Sequence, residues 1–194
     1  MERAFWIVAP ALALALAGCD KKVDGESPSG DKVTLEAPDI KLPAAVTQTT
    51  HARGYLDKAA AGDSFEIQSS QAILKTTGNA DIRSFAKTMI AAHEKSTNEL
   101  LSAADKIKLA PGLPALTDDQ QEQLGQLAAA NGADADKLYL DMQRTAHKDA
   151  LDLHQHYASD GDTPNLKAVA ATIAPVVQSH LDMLDKLPGS SPAH

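Results

Sequence analysis

At 194 residues and a net charge of −8, the chain has room for one folded domain plus accessory segments, and it lacks the basic balance of a general nucleic-acid binder. Apolar residues make up 43% but aromatics only 4%, so a core must be built mainly from Ala, Leu and Ile, a composition that favours helix. The single cysteine, Cys19, excludes an internal disulfide.

The first residues, MERAFWIVAPALALALAGC, place Arg3 before an apolar run from Ala4 to Ala17. That run is shorter than the ~20 residues of a membrane-spanning helix and has the form of a secretory signal. Leu16, Ala17, Gly18 and Cys19 resemble the lipobox of bacterial lipoproteins. The resemblance implies a signal peptide over 1–18, cleavage before Cys19, diacylation of its thiol and acylation of its new amino group. Two or three acyl chains, at ~0.8 kcal/mol per buried CH₂, hold a protein on a membrane where one chain does not. The expected location is therefore the cell envelope, exported, lipid-anchored and facing the periplasm. Asp20 resembles an inner-membrane retention signal and Lys21 counters it, which leaves the choice of inner or outer membrane open. Residues 19–46 carry Pro28, Pro38 and Pro43, mixed charge and no aromatic, and read as a disordered tether after the lipidated cysteine.

Downstream, the spacing predicts four long helices and one short one. The first runs from about Thr50 to Thr77, with Leu56, Ala59, Ala60, Ile67, Ile73 and Leu74 near one face and Gly62 in its middle. A turn at 77–81 follows, in which Asn79 can cap a second helix from about Ala80 to Leu109. Its stripe is Ile82, Phe85, Ala86, Met89, Ile90, His93, Leu100, Leu101, Ala104 and Ile107. APGLPAL at 110–116 stops that helix. Thr117 with Gln120 is a capping-box signature for a short helix through about Ala130. The next long helix spans about Ala135 to Ser159, with Tyr139, Met142, Ala146, Ala150, Leu153 and Tyr157 in one line and Leu140, His147, Leu151 and His154 beside it. Thr163 as cap and Pro164 in the first turn open the last helix, which carries Leu166, Val169, Ala170, Ile173, Val177, His180, Leu181 and Leu184, with Pro175 expected to kink it. No alternating strand pattern competes. Such helices pack as an all-α antiparallel four-helix bundle over 47–188, with the short helix between the second and third long ones and a disordered tail at 189–194.

His93, His147 and His180 fall on or beside apolar stripes near mid-helix, and Glu66 lies at a similar level of the first helix. Antiparallel packing would bring the four together. Imidazoles and a carboxylate are ligands for a transition metal such as Zn, Fe, Mn or Cu. They can equally form a buried polar layer that fixes helix register, each His bonded to Glu66 or to a Tyr hydroxyl. Di-iron bundles need Glu-x-x-His on two helices. Ile90, Arg144 and Val177 stand three residues before the three histidines, which disfavours that chemistry. His156 reads as a solvated side chain, and His51 and His194 carry no signal. No nucleophile elbow, phosphate loop, dinucleotide glycine pattern or zinc-finger spacing is present, and the usual hydrolase and kinase readings lack support.

The segments AAAGDSFEIQSSQAILKT (59–76), DIRSFAKTMIAAHEKSTNELLSAA (81–104), LYLDMQRTAHKDALDLHQHYA (138–158) and LKAVAATIAPVVQSHLDMLDKL (166–187) together resemble the bacterial family called domain of unknown function 4142. That resemblance implies a ferritin-like four-helix bundle, exported and often lipid-anchored or periplasmic, with no settled activity. It also implies that Glu66, His93, His147 and His180 occupy positions where members carry those residue types. Many members place an Asp just before the His of the second long helix, where this chain has Ala92. The first reading is thus a tethered, non-enzymatic envelope protein that supports structure or engages an envelope partner. The alternative is a bundle that stores, senses or does redox chemistry with a transition metal. Neither assigns a catalytic residue or a small-molecule substrate.

Overall fold

The computed structural model describes residues 50–110 and 115–189. The expected signal segment, Cys19, the expected tether and residues 190–194 lie outside the described residues. Five helices follow in chain order: α1 (Ala52–Thr76), α2 (Ala80–Lys106), α3 (Asp118–Ala129), α4 (Gly132–Asp160) and α5 (Pro164–Leu184). No helix among the described residues is long and apolar enough to cross a membrane.

The local signals act largely as the sequence suggests. Asn79 Oδ1 accepts from the Asp81 and Ile82 backbone N–H groups, which satisfies two of the donors left free at the start of α2. Thr117 and Gln120 close a reciprocal capping box on α3. Thr163 stands at the N-cap position of α5 but its side chain accepts no backbone N–H there; its hydroxyl donates to Asp162 Oδ1 at 2.9 Å. Helix α5 runs unbroken through Pro175, whose side is exposed.

The four long helices form a ring in which α1 neighbours α2 and α4, and α5 neighbours α4 and α2. Neighbours are antiparallel. Across α1 and α2, Asp63 meets His93 while Arg83 donates to the Leu74 carbonyl. Across α1 and α4, Tyr55 meets His154 while Ser70 meets Tyr139. Across α4 and α5, His147 meets His180 while Arg144 meets Asp185. It follows that α2 and α4 point the same way, so the connection between them must return along the length of the bundle. Helix α3 lies in that return and packs on α1 and α4. A single long crossover is also the connectivity of ferritin-like bundles.

The core is divided in two. One apolar cluster gathers Phe65, Ile73, Ile82, Phe85, Met89, Tyr139 and Leu184 around the α1–α2 turn, with Leu127 of α3. The other gathers Tyr55, Leu56, Leu100, Tyr157, Leu166 and Val177 around the α4–α5 turn. Each fully buried Leu, Ile or Phe contributes about 1.5–3 kcal/mol of transfer free energy. Two expectations shift at this level. Phe65 and Tyr55, not Ile67 and Leu74, fill the centre of the α1 face, and Leu101 is 42% exposed although it follows the buried Leu100. Between the clusters lies a layer of buried polar groups.

Candidate metal centre

The layer is built from one turn of each long helix. Helix α1 contributes Asp63 and Glu66, one turn apart on the same face; α2 contributes His93; α4 contributes His147; α5 contributes His180. All five are buried, and His147 is fully so. The three imidazole rings form a near-equilateral triangle, with centroids 5.4 Å apart for His93 and His147, 5.6 Å for His93 and His180, and 5.2 Å for His147 and His180. One ring nitrogen from each, taken together, lies within 4.8 Å of the others.

Hydrogen bonds behind the rings fix which nitrogens face inward. His93 Nδ1 is 2.8 Å from Asp63 Oδ1. A carboxylate only accepts, so Nδ1 carries the proton, and in the neutral ring Nε2 holds the lone pair. That Nε2 is buried and has no hydrogen-bond partner among the described residues. Asp63 is held in turn by Thr97, whose hydroxyl donates to Oδ2 at 3.0 Å. His147 Nδ1 donates to the Gln143 carbonyl at 2.8 Å, which leaves its Nε2 lone pair 3.2 Å from His180 Nδ1. Glu66 Oε1 lies 3.1 Å from the same His147 Nδ1, but off the N–H direction, so neither Glu66 oxygen receives a hydrogen bond.

Electrostatics separate the rings. Burial pulls His93 toward its neutral form, but the hydrogen bond to Asp63 and the charges of Glu66 and Asp63 outweigh it and hold its pKa above the ordinary value. Burial, reinforced by His147 and His93, pushes His180 down to about 3. His180 is therefore neutral at neutral pH, with a lone pair available.

These residues fit a transition-metal ion. Two nitrogens bonded at ~2.0–2.1 Å to one tetrahedral ion stand ~3.3 Å apart, and His147 Nε2 and His180 Nδ1 already stand 3.2 Å apart. Ligating histidines commonly donate their other N–H to a carboxylate or a backbone carbonyl, as His93 and His147 do. The two carboxylates, unpaired with any Lys or Arg among the described residues, would balance a divalent charge.

Of the four residues singled out by sequence, the structure gathers His93, His147 and His180 as donors and sets Glu66 beside His147 Nδ1, outside the donor group. Asp63 was not singled out, although its position three residues before Glu66 puts it on the same face. It gives His93 a carboxylate partner from α1, so Ala92 does not leave that ring without one. His154 is a separate matter. It is buried in contact with Tyr55, whose hydroxyl is 3.0 Å from its Nδ1, and burial lowers its pKa to about 4.

Comparison with known proteins gives the chain a family but no activity. The profile of a domain of unknown function, DUF4142, matches residues 37–187, and the chain belongs to that family. No curated protein matches. Among solved structures, the crystal structure of a DUF305 fragment from Deinococcus radiodurans is similar at a TM-score of 0.62 and 11% identity, over 69% of this chain and 92% of that one. At that identity the likeness concerns the fold alone.

Proposed function

We propose that this member of the DUF4142 family binds one divalent transition-metal ion through His93, His147 and His180, with Asp63 and Glu66 as outer carboxylates. The observation that carries the proposal is the convergence of three buried ring nitrogens within 4.8 Å, two of them with lone pairs fixed by bonds on the far side of the ring. Three imidazoles leave a fourth position for water or an exchangeable ligand, the pattern of working sites rather than closed structural ones. When bound, the ion would act as a Lewis acid or redox centre. The chain's own part is to fix the ring tautomers through Asp63 and Gln143 and to hold the rings between two apolar clusters. The lipobox-like segment supports the further reading that the bundle is anchored through Cys19 on the periplasmic side of an envelope membrane, with any protein partner in that compartment.

One observation favours a second reading. His147 and His180 can bond each other directly at 3.2 Å, so the layer can act as a metal-free device for helix register. Elemental analysis of the full chain, purified without chelator, separates the two. The metal reading expects close to one ion per chain, lost in His93→Ala, with stability reduced only in the metal-loaded background. The register reading expects no ion and a loss of ~1–3 kcal/mol in His93→Ala whether or not metal is added.

A further inference from the structure

A cleft of ≈ 710 Å³ opens between α1 and α4 beside the start of α3 and leads to the polar layer. Its inner end contains Asp63, Glu66 and His93. Glu66 is 2% exposed with neither carboxylate oxygen hydrogen-bonded, and the His93 atom left unpartnered is Nε2, the lone pair assigned above to the metal. Its outer rim carries Asp119 from α3 and Asp149 and Asp152 from α4, all exposed and in no ion pair among the described residues. Small residues keep the passage open: Ala59 and Gly62 on α1 face Ala146 and Ala150 on α4. A Cβ built on Gly62 meets nothing within 4 Å.

We infer that this cleft is the path by which a hydrated divalent cation reaches the three histidines. It is collected by Asp119, Asp149 and Asp152 and passed to Glu66 before the imidazoles take it. The inference rests on the metal reading above and adds where the ion comes from and what selects it. A rim of unpaired carboxylates concentrates cations and repels anions, and its pull weakens as salt screens it. Lys58 and His156 also line the cleft, and the three acids outnumber them. Glu66 then has a defined role: an acceptor with free lone pairs, placed where water has to be shed.

The test is the rate of Co²⁺ uptake by the full chain after chelator stripping, followed by the visible absorbance of the bound ion. The triple variant Asp119→Asn, Asp149→Asn, Asp152→Asn should slow uptake by about tenfold at low ionic strength, with the difference shrinking at high salt. Gly62→Leu, which swaps a poor helix former for a good one in open space, should slow uptake at every ionic strength. Both should still bind one ion per chain at equilibrium. Normal stoichiometry with unchanged rates in both variants would overturn the path and leave the site standing. Failure of the unmodified chain to bind Co²⁺ at all would remove the site and the path together.

Discussion

Asp63 is the residue on which the character of the site turns. Its carboxylate reaches across from α1 to orient the His93 ring and is held by Thr97, so neither side chain needs to reorder when an ion arrives. Replacing it by Asn keeps the shape and removes the charge. Competition titration against a chelator should show metal affinity falling by roughly 10–100-fold in Asp63→Asn, with folding retained; an unchanged affinity would show that Asp63 is incidental. His154 makes a second prediction at this scale. Its folded pKa of about 4 lies below the 6.5 of the unfolded chain, so between these values the unfolded state binds the extra proton. Stability should therefore rise with pH across that window and be lost on acidification. In His154→Gln, the stability difference between about pH 4.5 and pH 6.5 should shrink by roughly 2–3 kcal/mol in denaturant titrations, and an unaltered difference would contradict the assignment. His93 acts with the opposite sign: its raised folded pKa favours the folded metal-free protein at low pH, and that contribution is lost as pH climbs through it.

At the scale of helices, Asp162 ties three ends together. Its Oδ1 accepts from the Ala52 backbone N–H at 3.1 Å and from the Tyr157 hydroxyl at 2.9 Å, its Oδ2 lies 3.2 Å from His51 Nδ1, and its own N–H donates to the Thr50 carbonyl. The start of α1, the end of α4 and the start of α5 thus share one carboxylate. Gly161 beside it is required by space, since a Cβ there would come within 2.5 Å of the Tyr157 carbonyl oxygen. The partial burial of Asp162 works to raise its pKa, but the bonds from Thr163, Tyr157, His51 and Ala52 prevail and hold it below the ordinary value. Its contribution is therefore present at neutral pH and fades as pH falls through that lowered value. Asp162→Ala should cost about 1–2 kcal/mol at neutral pH, and hydrogen exchange should show the first turn of α1 fraying before the rest. Uniform exchange along α1 would argue that the clasp does nothing local. The sequence concealed this role because His51 carries no signal of its own and Asp162 stands between two helices, outside any apolar stripe. The contact joins residues more than a hundred positions apart.

Across the whole molecule, most of the architecture was legible because its signals are local. Asn79, the Thr117–Gln120 box and Pro164 mark boundaries, and the stripes of α2 and α4 name most of the buried faces. His93, His147 and His180 stood out because each interrupts an apolar stripe, the first two at mid-helix and His180 one turn before the end of α5, and the antiparallel ring carries them to one level. The division of labour behind them was not legible. Whether Glu66 or Asp63 reaches a given ring depends on the rotation of α1 against its neighbours, which periodicity does not resolve to within one turn. The cleft was hidden for a similar reason, since it exists only where α3 settles on the return path and where small residues of α1 and α4 face each other.

In the proposed centre, three imidazoles from three helices share one ion. X-ray absorption at the edge of the metal carried by the full chain is the decisive measurement. Three imidazole nitrogens at ~2.0–2.1 Å plus one oxygen ligand are expected, with one imidazole lost in His180→Ala. A shell of oxygens alone, or a spectrum untouched by that substitution, would contradict this arrangement.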